Sequence, residues 1–253
     1  MGIKADVKVD ILFGEAGAEE AARREAVTVV IDALRASATI TTALAVGAQK
    51  VVPVGTPEEA RAYLGRPGHF VAGERRGMKL PGFHFGNSPT ELVRHGHLLR
   101  GGVLVLTTTN GTRVVRAARA GNTVILAGTT LNAGAVARAA LEMARREGRD
   151  IVLVAAGEDE AHAEEDFAGA RCIAGHLERL QNTPVACEPC PADLASLFAE
   201  TPSAQELFEL GYRDDVFFCA RRDVYEVVPW LKNGGFVAYG THQAAPIPRR
   251  RAE

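Results

Sequence analysis

The chain has 253 residues, 47% hydrophobic and 24% charged, with a formal net charge of −2. That length and apolar share suit one large α/β domain with a sizeable core, and the near-neutral balance argues against nucleic acid or an anionic membrane as partner. No apolar run approaches the ~18 residues of a membrane span, and the start, with Lys4, Asp6, Lys8 and Asp10, lacks a signal-peptide core, so a cytoplasmic protein is expected.

Apolar runs and helical stretches alternate along the chain. Strands are expected over 7–12, 27–31, 51–54, 70–72, 103–106, 124–127 and 151–155. Helices are expected over 36–46, 57–64, 89–97, 113–120, 133–147 and 167–180. The alternation argues for βαβ units, and the continuous apolar strands argue for a mainly parallel sheet covered on both faces. Thr56-Pro57-Glu58-Glu59 and Ser88-Pro89-Thr90-Glu91 each offer a capping side chain, a proline at the first helical position and a glutamate three after the cap. Gly65 and Gly121 fall where helices should stop. Residues 74–87 form a long charged loop without period, of the kind that serves function. Residues 189–240 read as short helices followed by a strand pair near 224–228 and 236–239, and 244–253 as a frayed tail.

Four polar clusters fall where strands end. The first is Thr107-Thr108-Thr109-Asn110-Gly111-Thr112, between a buried strand and a helix. Hydroxyls, backbone N–H groups and a helix N-terminus at the carboxyl edge of a parallel sheet suit an anion, above all a phosphate. The second is Asp32-Ala33-Leu34-Arg35. An aspartate there can bind Mg²⁺ or attack an electrophile, and Arg35 can fork onto a phosphate. Taken alone, Asp32 reads as a helix cap and Arg35 as a surface residue; two such turns at one sheet edge favour a site. The third joins Glu74, Arg75, Arg76 and Lys79 with Asn87 and Ser88. Glu74 is placed to ligate metal, while the arginines are balanced between clamping an anionic substrate and a solvated charged loop. The fourth runs from Glu158 and Asp159 to Glu164, Glu165 and Asp166. Acidic residues suit a first helical turn, yet so many together call for a cation.

Of the four cysteines, Cys187 and Cys190 form a lone C-x-x-C. With no second pair and no metal-type histidine spacing, both are expected as free thiols, with a metal or redox role as the lesser alternative, and Cys172 and Cys219 as core residues. The sequence has no G-x-S-x-G, no Walker A and no G-x-G-x-x-G, which removes support for nucleotide-fuelled or nicotinamide chemistry. Hydroxyls, arginines and hard carboxylates fit phosphoryl transfer to water.

The segments Val30-Ile31-Asp32-Ala33-Leu34-Arg35-Ala36, Gly73-Glu74-Arg75, Gly86-Asn87-Ser88-Pro89, Thr107 through Thr112, and Glu165-Asp166-Phe167 with Gly169 stand in an order and spacing that resembles the 2-phosphosulfolactate phosphatase (ComB) family. The resemblance runs over about 27–175, with a weaker echo in Arg221-Arg222-Asp223-Val224-Tyr225. It implies a three-layer α/β/α fold, a homodimer and a Mg²⁺-dependent phosphatase that converts 2-phosphosulfolactate to 3-sulfolactate, a step toward coenzyme M. One departure is the acidic stretch 157–164, where the family pattern is more neutral and hydroxyl-bearing.

The mechanism expected from these residues draws the Mg²⁺ ligands from Asp32, Glu74, Glu165 and Asp166. Arg35 neutralises phosphoryl oxygens together with Thr109 and Asn110, and Thr107, Thr108, Gly111, Thr112, Asn87 and Ser88 line the substrate. Arg75 or Arg76 holds the substrate's carboxylate or sulfonate. The nucleophile is a water or Asp32 itself; Leu34 at the second position of what would be D-x-D favours water. Three alternatives stay open: a phosphatase of another 2-hydroxycarboxylate phosphate, an isomerase or lyase of a phosphorylated hydroxy acid, and a non-catalytic anion-binding module.

Overall fold

The computed structural model describes residues 6–109, 111–121, 123–157 and 162–240. Asn110, Glu158, Asp159 and the tail 244–253 lie outside the described residues. The elements in chain order are β1 (Val9–Phe13), α1 (Gly14–Arg23), β2 (Val27–Ile31), α2 (Ala36–Ala45), β3 (Lys50–Pro53), α3 (Pro57–Arg61), β4 (His69–Arg75) and β5 (Met78–Lys79). There follow α4 (Pro89–His95), β6 (Val103–Thr107), α5 (Gly111–Ala118), β7 (Val124–Gly128), α6 (Ala133–Glu147), β8 (Ile151–Ala155) and α7 (Glu164–Gln181). The chain closes with α8 (Leu194–Glu200), α9 (Pro202–Glu209), α10 (Arg213–Cys219), β9 (Pro229–Lys232) and β10 (Gly235–Ala238). No helix among the described residues is long and apolar enough to cross a membrane.

The strands make one sheet in the order β1-β8-β2-β7-β9-β10-β3-β6-β4-β5. β2 and β8 are buried at every residue, as their unbroken apolar runs require when both faces are covered. Side chains alternate across them. Val27, Val29, Ile31, Ile151 and Leu153 pack with Val136, Met143, Ile173 and Leu177 of α6 and α7. Val30, Val152 and Val154 pack on the other face with Ala21, Ile40, Leu44, Val114 and Val115 of α1, α2 and α5. Each fully buried Val, Leu or Ile contributes about 1.5–3 kcal/mol. The result is the expected three-layer α/β/α arrangement.

The sheet is mainly parallel in two blocks, and the hairpin of β9 and β10 sits between them. β7 pairs antiparallel with β9, β9 with β10, and β10 with β3. Three reversals in a row mean that β3, β6 and β4 run opposite to β1, β8, β2 and β7 when followed through the ladder. The expected clusters therefore do not share one edge of a continuous parallel sheet. The seam is thin: one pair, Leu126 with Trp230, on one side, and one pair, Phe236 with Val51, on the other. α2 crosses it, packing on β7, β9, β10 and β3, and the carboxyl ends of β2 and β6 still meet.

Three local expectations are corrected. The strand placed near 224–228 lies at Pro229–Lys232, because Asn233 and Gly234, with φ of 48° and 77°, form the two-residue turn of a hairpin that pairs Lys232 with Gly235. Within the loop 74–87, Arg76 and Gly77, with φ of 51° and 73°, turn β4 back onto β5. Helix α1 was not anticipated, since the face it buries is only Gly17, Ala18, Ala21 and Ala22 and gives a weak apolar period.

The thiols also differ from expectation. Cys190 is bonded to Cys172 of α7, with Cα atoms 4.5 Å apart, while Cys187 and Cys219 are free. The chain leaves α7 through Asn182 in the left-handed region and doubles back along the helix, which brings Cys190 beside Cys172. Cys219 is buried as expected.

Candidate active site

Asp32 follows the last residue of β2. Its N–H donates to Ser37 Oγ at 3.0 Å, and its Oδ1 accepts the Ala36 N–H at 2.9 Å. The carboxylate thus caps α2, as its position suggested, using one oxygen. The other oxygen faces the start of α5: a Cβ added to Gly111 would lie 2.7 Å from Asp32 Oδ2 and 2.7 Å from Ala36 Cβ. Only glycine allows the threonine turn to approach this closely.

Asp166 stands at the first turn of α7 and staples two strand ends. Its Oδ1 accepts the Ala33 N–H at 2.6 Å and its Oδ2 the Gly157 N–H at 2.9 Å. Burial, then the charge of Asp32, then that of Glu165, hold its carboxyl well above the usual range. Glu165 is 2% exposed, and its Oε2 is buried without a hydrogen-bond partner among the described residues. Like charges crowded in a buried place, with an acceptor left unpaired, fit a hard cation.

Glu74 does different work from that expected. Its Oε1 accepts the Thr109 N–H at 2.8 Å and the Thr109 hydroxyl at 3.0 Å, and its Oε2 accepts the Gly77 N–H at 3.0 Å. It ties the threonine turn to the β4–β5 hairpin. The four carboxylates expected to share a metal are not gathered: among the described residues, no three His, Cys, Asp or Glu side chains stand close enough to hold one ion.

Most threonine hydroxyls are likewise committed. Thr107 Oγ1 accepts from Arg75 Nη2 at 3.1 Å, and the Thr112 hydroxyl donates to the Thr108 carbonyl at 2.9 Å. Thr108 is the exception; it is 3% exposed, and its Oγ1 has no partner among the described residues. The helix begins at Gly111, two residues earlier than expected. Arg75 also bonds the Glu74 carbonyl at 2.6 Å, so it is half-buried and fixed, while Arg76 is exposed and carries no side-chain partner among the described residues. Lys79 is taken up by Glu91 at 2.8 Å.

Arg35 is buried rather than superficial. Its Nη1 meets Asp215 Oδ2 at 2.9 Å, its Nη2 donates to the Gly77 carbonyl at 2.7 Å, and its guanidinium lies 4.4 Å from the centre of the Tyr212 ring. Ser88, expected to touch substrate, instead donates to Asp215 Oδ1 at 2.9 Å and accepts the Glu91 N–H at 3.1 Å as the cap of α4. Asn87 is buried, and its Oδ1 has no partner among the described residues.

Sequence reasoning missed Asp215. It accepts from Arg35, from Ser88 and from both the N–H and hydroxyl of Thr90, the last two at 3.0 and 2.6 Å. Its neighbour Asp214 is solvated and pairs with Arg94 at 2.5 Å. The signal that separates them is helical spacing: Asp215 lies four residues before Cys219, on the buried stripe of α10.

These residues surround one cavity of about 580 Å³, lined by Asp32, Arg35, Glu74, Arg75, Arg76, Asn87, Thr108 and Thr109. Ser203, Glu206, Leu207 and Leu210 of α9 and the residue after it close its outer wall. Gly111 and Thr112 border a narrower space beside Thr108, while Thr107, Ser88, Glu165 and Asp166 are not among the residues that line the cavity. A cavity lined by both guanidinium groups and carboxylates suits an anionic ester positioned against a metal or an attacking water.

A family model described as 2-phosphosulpholactate phosphatase matches residues 15–234. The chain is 38% identical over 210 residues to a 2-phosphosulfolactate phosphatase of Methanothermobacter thermautotrophicus, covering 81% of this chain and 87% of that protein. It is 36% identical over 231 residues to a probable 2-phosphosulfolactate phosphatase of Carboxydothermus hydrogenoformans, covering 88% and 92%. A probable 2-phosphosulfolactate phosphatase of Clostridium acetobutylicum is 31% identical over 239 residues, covering 90% and 99%.

Proposed function

The chain belongs to the 2-phosphosulfolactate phosphatase family, and we propose that it is a phosphoric monoester hydrolase that cleaves 2-phosphosulfolactate to 3-sulfolactate and phosphate, in the manner of coenzyme M biosynthesis. The observation that carries this reading is the single cavity in which Asp32 faces the Thr108–Thr109 wall with Arg75 and Arg76 beside it. Arg76, exposed and without a side-chain partner among the described residues, takes the carboxylate or sulfonate of the substrate. Arg75, fixed by Thr107 and the Glu74 carbonyl, holds the phosphoryl group from its side. The Thr108 hydroxyl, buried and without a partner among the described residues, donates a hydrogen bond to the ester, and Asn87, which lines the same cavity, donates through its amide NH₂. Arg35 holds the floor of the cavity through Asp215 and Gly77.

The buried group of Asp32, Glu165 and Asp166 fits Mg²⁺ bound through one or two carboxylates and waters; Asp32 and Glu165 are the residues we assign to hold it, with Asp166 fixing the Ala33 and Gly157 turns. When bound, Mg²⁺ would neutralise charge developing on the phosphoryl oxygens. Asp32 helps position the attacking water, whose proton passes to solvent. The water oxygen bonds to phosphorus, the bond from phosphorus to the ester oxygen breaks, and that oxygen leaves as the hydroxyl of 3-sulfolactate after taking a proton from solvent. The same reading makes the protein a cytoplasmic homodimer, whose assembly light scattering on the purified chain checks. The test of the activity is phosphate release across a series of 2-phospho-hydroxy acids, with added Mg²⁺ and with EDTA. The proposal expects release with 1:1 loss of ester, 2-phosphosulfolactate preferred, and arrest by EDTA. Ester loss without phosphate would favour an isomerase or lyase.

A further inference from the structure

The threonine turn has a second side. Opposite the cavity described above lies a cleft of about 450 Å³ between the loop after β3 and helix α5. Thr108, Thr109 and Arg75 line both spaces, so the two meet at this wall. Arg113 and Arg116 of α5 and Arg119 of the turn that follows it, spaced three apart, line the cleft as well. Arg113 is paired with Glu15 at 2.7 Å. Arg116 and Arg119 are exposed and have no side-chain partner among the described residues.

The charge balance of this cleft is lopsided. Glu59 is the one carboxylate among its described lining residues, and its Oε2 accepts the Gly55 and Thr56 N–H groups at 2.8 and 3.3 Å, closing the cap of α3 rather than meeting an arginine. Like charges one turn apart on a helix repel, and a guanidinium presents its donors as a fork matched to oxyanions. The buried, unpaired Thr108 Oγ1 belongs to a residue at the inner end of the same space.

We propose that this cleft is a second anion site that takes a tetrahedral oxyanion, a sulfonate or a phosphate, between Arg116 and Arg119 with Arg75 at its inner end. Two sources offer that chemistry. One is the sulfonate end of the substrate reaching past the threonine wall, which rests on the phosphatase reading. The other is free inorganic phosphate, which does not.

The test compares wild type, Arg116→Gln/Arg119→Gln and a control with the same loss of charge elsewhere, Arg145→Gln/Arg146→Gln. Inorganic phosphate is titrated into each by calorimetry, and kinetics are read on 2-phosphosulfolactate and on 2-phospholactate, which lacks the sulfonate. If free phosphate is the occupant, one binding event weakens at least about tenfold in the cleft variant and not in the control. If the sulfonate is the occupant, KM for 2-phosphosulfolactate rises about tenfold with kcat and 2-phospholactate unchanged. A cleft variant that matches the control in both measurements overturns the site. Should wild type hydrolyse neither ester, the phosphatase reading fails, and the phosphate titration still decides the anion site.

Discussion

Arg35 and Asp215, 180 positions apart in the chain, form an ion pair of 2.9 Å with side chains 2% and 0% exposed. The pair joins the turn after β2 to α10, and Asp215 extends the link to α4 through Ser88 and Thr90. Burying two charges gives little net stability, but removing one partner strands the other in a dry place. Asp215→Ala should therefore lower stability by about 3–5 kcal/mol in urea unfolding. Arg35→Lys should be severe as well, because an ammonium cannot span both Asp215 and the Gly77 carbonyl.

Glu74 tests whether the threonine turn must be held. Its two oxygens accept from Thr109 and from Gly77. In Glu74→Gln one of those donors meets an amide NH₂ instead of an acceptor. Phosphate release should fall at least about tenfold, with the loss of stability kept near 1–3 kcal/mol; unchanged kinetics would detach this turn from the chemistry.

Gly111→Ala tests the close approach of the two turns. The added Cβ would stand 2.7 Å from Asp32 Oδ2, so either Asp32 or α5 must shift. Overpacking of this kind costs about 1–3 kcal/mol, and the displaced carboxylate should reduce kcat by about a hundredfold, read by steady-state assay beside a thermal melt.

Cys219 gives a pH dependence of stability. Burial, reinforced by Asp215 and opposed by Arg35, holds its thiol well above the ordinary 9.0. The unfolded chain releases this proton near 9.0 while the native one keeps it, so the native state binds more protons and stability falls as pH rises past that point. One such group gives a slope approaching about 1.4 kcal/mol per pH unit. Urea unfolding should show the wild type losing about 1.4 kcal/mol more than Cys219→Ala between about pH 8 and about pH 10; equal losses would contradict it.

The sequence made the layers legible because β2 and β8 are unbroken apolar runs, a pattern only a doubly covered sheet explains. The β9–β10 insertion was hidden, since a strand pair contributed by the last part of the chain leaves no mark on the strands it separates. The residues around Asp32, Glu74 and Thr108 were legible as a site because polar groups clustered at strand ends. Their division of labour was not. Whether a carboxylate faces a ligand or a neighbouring N–H depends on the path of another loop, as Glu74 and Ser88 show. Asp215 reaches the site from α10 through tertiary packing, and only its helical phase beside Cys219 betrayed it.

The central claim rests on Asp32, whose second oxygen faces the start of α5. The most direct measurement is phosphate release from 2-phosphosulfolactate in Mg²⁺ by wild type and by Asp32→Asn, with circular dichroism on both. The account expects release by wild type, arrest by EDTA, and a folded Asp32→Asn protein that releases none. Near-normal release by a folded Asp32→Asn protein would contradict it.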